Sequence, residues 1–253
     1  MQNFVICDAT IGLPRLRAGG IEPTVADLLS EMGRLRVRKA IVRHRLCLDV
    51  GPYHGNQALM EEIEGQPDLL AAWAVTPDGR PPDFSPVSLV KAMLDDGVKA
   101  AWLAPKAHGF PPQPWCAGAL YGALEEAAMP LLVAHDDLTG DDIDAIGRAF
   151  PRLRLILLEC PRLGRNRNLY PLLERHENLF LCVAPPFSVH CGLRDLCRRF
   201  GAHRWVLGSG YPEAEGGAAI AGLMYAGLSD EDAAAIAHGN IERLLEEVRH
   251  DDR

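Results

Sequence analysis

Residues 204–212 read RWVLGSGYP. Trp205, Val206 and Leu207 form a short apolar run that stops at Gly208, Ser209 and Gly210. A buried strand that ends on two glycines lets the backbone turn sharply or approach another group closely. Working outward from this run, similar ones recur along the chain. They are Phe4–Cys7, Ala40–Val42, Leu70–Val75, Ala100–Leu103, Leu131–Ala134, Leu155–Leu158 and Leu179–Cys182. These runs are continuously apolar rather than alternating, the pattern of strands covered on both faces in a parallel sheet.

Segments with helical spacing lie between the runs. They are Thr24–Arg34, Asn56–Glu64, Ser85–Asp95, Ala117–Ala127, Thr139–Phe150, Leu169–His176, Val189–Phe200 and Ala214–Ala226, with a last helix over Asp230–Val248. Thr24 suits an N-cap with Asp27 three residues on, and Ser229 precedes an acidic first turn. Alternation of strand and helix predicts a parallel α/β fold. Eight such units predict a (β/α)8 TIM barrel with outer helices and an extra C-terminal helix. No linker divides residues 1–253, so one domain is expected. PDGRPPDFSP (77–86) and HGFPPQPW (108–115) read as loops after the third and fourth strands.

The formal net charge is −8, which argues against nucleic acid or an anionic membrane as the main partner. No apolar run reaches the roughly 18–20 residues that span a bilayer. The start, MQNFVICDATIGL, lacks a signal-like pattern, and a cytoplasmic location is expected. The seven cysteines include no CxxC pair, so reduced core thiols are expected rather than a disulfide framework or a zinc ribbon.

In a TIM barrel, chemistry sits on the loops past the C-terminal strand ends. The polar residues there are Asp8, Thr10, Arg43, His44, Thr76, Lys106, His135, Asp136, Glu159 and Ser209. His135 ends a buried run and suits general acid–base work, because an imidazole titrates near neutrality. Glu159 directly follows LRLILL, and a carboxylate there needs a partner if buried. Arg162, Arg165 and Arg167 are near in sequence. Asp8 follows FVIC and reads either as a catalytic carboxylate or as an Asx turn toward Gly12. Arg43 and His44 read either as a solvated rim or as a clamp for an anionic substrate, since Arg matches carboxylate geometry. Trp102 reads as core or as an apolar wall. Neither a GxGxxG turn before a helix nor a GxSxG elbow occurs.

FGAHRWVLGSGYP (200–212) and GLSDEDAAAIAHGNIERLL (227–245) together resemble the C-terminal signature of the amidohydrolase 2 family of TIM-barrel hydrolases. VICDATIG, DDGVKAAWLAP, MPLLVAHDD and FPRLRLILLECPRLG resemble its strand-one, -four, -five and -six segments, in order. The resemblance implies metal ligands in an HxH pair on strand one, histidines on strands five and six and an aspartate on strand eight. At these positions stand Asp8 and Thr10, then His135, Glu159 and Gly210. Only His135 keeps the implied residue.

The resemblance implies hydrolysis of an ester, lactone or amide bond in a small, anionic molecule. His135, Asp8 and Glu159 are the catalytic candidates; Arg43, His44, Trp102, Ser209 and Gly210 are the substrate-binding ones. No cofactor is expected; a single divalent ion such as zinc, held by Asp8, His135 and Glu159, is the alternative. The family also admits decarboxylation, which there leans on the metal ligands. The rival reading is a non-catalytic barrel whose mouth binds a small ligand or a partner. A small-molecule partner is expected, and a homo-oligomer is compatible with the sequence.

Overall fold

The computed structural model describes residues 3–12, 23–79, 82–161, 168–185 and 192–249. Its strands are β1 (Phe4–Ile11), β2 (Val37–His44), β3 (Leu69–Val75), β4 (Ala100–Leu103), β5 (Leu131–Ala134), β6 (Leu155–Leu158), β7 (Leu179–Val183) and β8 (Trp205–Leu207). Each pairs in parallel with the next, in chain order, and β8 returns against β1. This is a TIM barrel. Helices α1 (Val25–Leu35), α2 (Leu46–Asp49) and α3 (Pro52–Glu62) accompany the first two strands. Next come α4 (Pro86–Asp95), α5 (Pro105–His108), α6 (Pro114–Glu126), α7 (Gly140–Ala149), α8 (Leu169–Arg175) and α9 (Gly192–Phe200). After β8 lie α10 (Gly216–Met224), α11 (Asp230–Ala234) and α12 (Asn240–Glu246).

The period-two alternation of each strand separates two apolar layers. Ile6, Val42, Leu103, Val133 and Leu157 pack outward with the helices. Val5, Ile41, Ala72, Leu132, Ile156 and Val206 form a second cluster on the barrel axis. Large and small axial side chains complement each other there: Ala74 lies in register with Trp102 on the adjacent strand. Ile241, Leu244 and Leu245 of α12 join the axial cluster. Arg154, just before β6, donates to Leu244 O, so this helix covers the N-terminal end of the barrel and leaves the other end to the loops.

Several elements differ from the expected bounds. β1 was expected to stop at Cys7 and runs to Ile11, because donors from the β8 turn satisfy Asp8 within the strand. Its register shifts against β2: Ile6 pairs with Ala40 and Ala9 with Val42, three steps against two. This bulge leaves both Cys7 and Asp8 between two outward-facing residues, the kind of re-aiming that bulges provide. α3 and α6 begin at Pro52 and Pro114, earlier than expected, since proline suits the first helical position. The expected last helix is interrupted by a π-turn over Ala235–Gly239. Asn240, just beyond it, donates to Ala202 O and Trp205 O, 2.8 and 2.7 Å away. The expected segment Val189–Phe200 is described only from Gly192. Arg162, Arg165 and Arg167 lie outside the described residues.

Candidate functional site

The turn after β8 is built around Asp8. Ser209 N and Gly210 N donate to its two carboxylate oxygens at 2.7 and 2.9 Å. Ser209 Oγ adds a third contact at 3.3 Å and accepts from Tyr211 N. Thr10 N donates to Tyr211 O at 3.0 Å. Asp8, 1% exposed, therefore joins β1 to the β8 turn at the mouth of the barrel. Two glycines permit this. Gly210 has φ of 66°, a left-handed conformation that favours glycine. A Cβ on Gly208 would stand 2.4 Å from Asp8 Oδ2 and 2.3 Å from Cys182 Sγ. Asp8, expected as a catalytic group, thus spends its carboxylate on backbone donors, and Ser209 and Gly210, expected as substrate-binding, are those donors.

Cys7 Sγ donates to Cys182 Sγ at 3.5 Å beneath this turn. The bond with Cys7 and then burial push the Cys182 thiol well up. Burial, with Glu159 nearby, pushes the Cys160 thiol up as well. Both are protonated core thiols rather than nucleophiles.

Arg43 and His44 are adjacent in β2 and part ways. His44 faces outward: its Nδ1 accepts from Leu46 N at 3.1 Å and its Nε2 meets Glu62 Oε1 at 3.0 Å. Gly12 packs so closely that a Cβ there would stand 2.5 Å from the ring. His44 is thus a packing residue and not part of the mouth, contrary to expectation. Arg43 faces inward and is 6% exposed, a buried group rather than a solvated rim. Its guanidinium carbon lies 4.9 Å from the centre of the Trp102 ring, a cation–π distance. Its Nη2 donates to Asp8 O at 3.1 Å and lies 3.7 Å from Glu159 Oε1. Its Nε has no hydrogen-bond partner among the described residues. Trp102 is buried as the floor under this cation.

Glu159 is the first residue past β6 and has φ of 55°. A non-glycine residue in this region costs on the order of 1 kcal/mol or more and persists where its surroundings hold it. Its side chain is 59% exposed, so it leans over the mouth instead of being buried under it. His135 follows β5, level with Glu159 because Ala134 pairs with Leu158. It opens a 3-10 turn over His135–Asp137, and its Nδ1 meets Asp136 Oδ1 at 2.9 Å. Lys106 from α5 reaches Asp136 O. Asp137, which the sequence did not single out, belongs here too. Burial raises its carboxyl above the ordinary range; Lys106 opposes this, and Glu159 adds to it. The available signal was its place in the loop after β5.

The metal implied by the resemblance does not fit these residues. Asp8 is committed to the turn, Gly210 brings no donor, and Arg43 already places a permanent cation on the backbone carbonyl of Asp8 and 3.7 Å from Glu159. Two unit charges about 4 Å apart repel by about 4 kcal/mol at an effective dielectric of 20. Among the described residues no group of three or more His, Cys, Asp and Glu side chains is placed to hold an ion. The expected alternative set of Asp8, His135 and Glu159 is therefore not assembled as a metal site.

Known structures share this architecture. A 2,6-dihydroxybenzoate decarboxylase in complex with 2,6-dihydroxybenzoate superposes with a TM-score of 0.75 at 17% identity, over 97% of this chain and 99% of that one. A dihydroxybenzoic acid decarboxylase from Polaromonas sp. JS666, with bound manganese and 2-nitroresorcinol, gives 0.75 at 13% identity, covering 99% of each chain. A probable 2-pyrone-4,6-dicarboxylic acid hydrolase from Acinetobacter baumannii, with citric acid bound, gives 0.67 at 12% identity over 96% and 99%. At these identities the likeness is one of fold. No curated protein matches the sequence. The amidohydrolase family model matches residues 21–246, and the chain therefore belongs to the amidohydrolase 2 family.

Proposed function

We propose that this protein is an enzyme that hydrolyses an ester, lactone or amide bond in a small anionic molecule bound at the barrel mouth. The observation that carries the reading is the gathering of Arg43, Trp102, Glu159, His135 and Asp137 at one end of the barrel. Solved relatives in fold carry carboxylated ring compounds in their names, as decarboxylases and as a probable lactone-type hydrolase, which supports that substrate class. His135, oriented by Asp136, takes the proton from the attacking water. Arg43 faces the negative charge that develops on the carbonyl oxygen or that the substrate brings. The imidazolium of His135 then returns that proton to the leaving group, and Asp137, two residues on in the same turn, is the second acid–base candidate. Asp8 holds the β8 turn in place and does not touch the reacting atoms.

The test is a panel of lactones, esters and carboxylated aromatics, assayed by product analysis with and without a chelator. His135→Ala is expected to lower kcat by about 10² or more, as removal of a positioned base does. A second reading, a non-catalytic ligand-binding barrel, draws on the commitment of the Asp8 carboxylate to the turn. It prevails if the wild type turns over no compound above the His135→Ala background. Release of carbon dioxide from a carboxylated aromatic, without hydrolysis of any ester or lactone, would replace hydrolysis with decarboxylation.

A further inference from the structure

In a ring of eight strands ordered β1 to β8, β2 and β6 stand opposite each other. Arg43 starts from β2, yet its Nη2 comes within 3.7 Å of Glu159 past the end of β6. The same nitrogen donates to Asp8 O on β1, and the guanidinium lies over Trp102 of β4. A group that meets β1, β4 and β6 from a root on β2 stands on the barrel axis. β1 and β6 are two of the four strands on which the family resemblance sets metal ligands, the others being β5 and β8.

We propose, building on the reading of the mouth as a site for small anions, that Arg43 takes the place of the metal ion and receives the carboxylate of the ligand directly. The guanidinium is pre-set for this. A backbone carbonyl and an indole face fix its plane, so little freedom is lost when a second planar group pairs with it. Its Nε–H is unpartnered among the described residues, and a buried donor without a partner gains most from an acceptor. A carboxylate already rests nearby. Glu159 is 3.7 Å away and mostly exposed, too far for a hydrogen bond and able to swing out. Glu159 acts as an internal counter-ion that a ligand carboxylate displaces.

The probe is benzoate, titrated calorimetrically into the full chain, with benzamide as its neutral counterpart. Benzoate is expected to bind equally, within about twofold, in EDTA and in added manganese or zinc, and more tightly than benzamide by about tenfold or more. Arg43→Met is expected to weaken benzoate by about 10- to 100-fold, and Arg43→Lys by less. Glu159→Gln, which removes the competing charge, is expected to tighten benzoate by several-fold. Melting curves accompany each variant, and if Arg43→Met does not fold, the metal titration and Glu159→Gln decide. The proposal is overturned if benzoate binds only with added metal, if it does not bind, or if Glu159→Gln weakens it. Binding as described without turnover of any ester or lactone defeats the hydrolytic reading and leaves this one standing.

Discussion

Asp8 shows how one side chain can answer for a whole seam. Its carboxylate, itself buried, accepts from Ser209 and Gly210 across 201 and 202 residues of sequence. Removing it leaves buried backbone donors unsatisfied, each costing about 1–3 kcal/mol. Asp8→Ala is therefore expected to lower unfolding stability by about 2–4 kcal/mol in urea titrations, and Asp8→Asn by less, since one oxygen still accepts. Gly208→Ala tests the same contact from the other side. Its Cβ would meet both Cys182 Sγ and Asp8 Oδ2 below 3 Å, and overpacking of this kind typically costs about 1–3 kcal/mol or more. If either variant melts like the wild type, the clip is not what joins β1 to β8.

Caps and bulges set where the elements deliver their side chains. α7 starts with a capping box: Thr139 Oγ1 accepts from Asp142 N, and Asp142 accepts from Thr139 N. The same carboxylate accepts from Gln113 Nε2 at 2.7 Å, tying the start of α6 to the start of α7 beside the mouth. Thr139→Ala is expected to cost about 1 kcal/mol, the usual value of a lost N-cap. Asp142→Ala should cost more than Thr139→Ala, because it also frees Gln113; equal losses would show the inter-helix bond to be inert. The capped start at Thr24 was legible, as a hydroxyl residue followed three positions later by Asp, and Thr139 was legible only as the start of its helical segment. The bulge at Cys7–Asp8 was not, because its cause is the pairing with β2 and the donors of β8, both remote in sequence.

At the scale of the whole molecule, two carboxyl groups respond to pH in opposite directions. The hydrogen bond from His176, then the charges of Arg148 and Arg175, hold Asp144 below the ordinary carboxyl range. A group depressed in the folded state stabilises it above the unfolded value and loses this as pH falls through the folded one. Asp144→Asn should therefore lower the melting temperature at neutral pH, and the gap from wild type should close on acidification. Burial first, and then Glu159 and Asp136 against the pull of Lys106, raise Asp137. Its contribution is fully present below the unfolded value and is lost as pH rises through the raised one. Asp137→Asn should thus raise the melting temperature at neutral pH, with the gain shrinking toward pH 3.8 and below. If Asp137 is the acid of the proposed reaction, the same variant is more stable and less active, the usual trade at a working site. A stable Asp137→Asn with unchanged turnover would remove it from the mechanism.

The sequence by itself determined the architecture. Strands buried on both faces must be apolar throughout, so eight such runs separated by amphipathic segments spell out the barrel locally. It also determined which loops hold the polar residues, because chain direction fixes which end of a parallel strand is which. Only the tertiary structure decided what those residues do. Alternation in a strand sends Arg43 and His44 to opposite sides, but the closure of the barrel decides that Arg43 takes the axis and His44 the outer layer. Glu159 had three arginines close by in sequence, and its described partner is Arg43 from the opposite strand. Asp8 looked like a reactive carboxylate until the β8 turn was folded onto it. Strand order and closure bring these groups together across the ring, and such distances are not encoded in spacing along the chain.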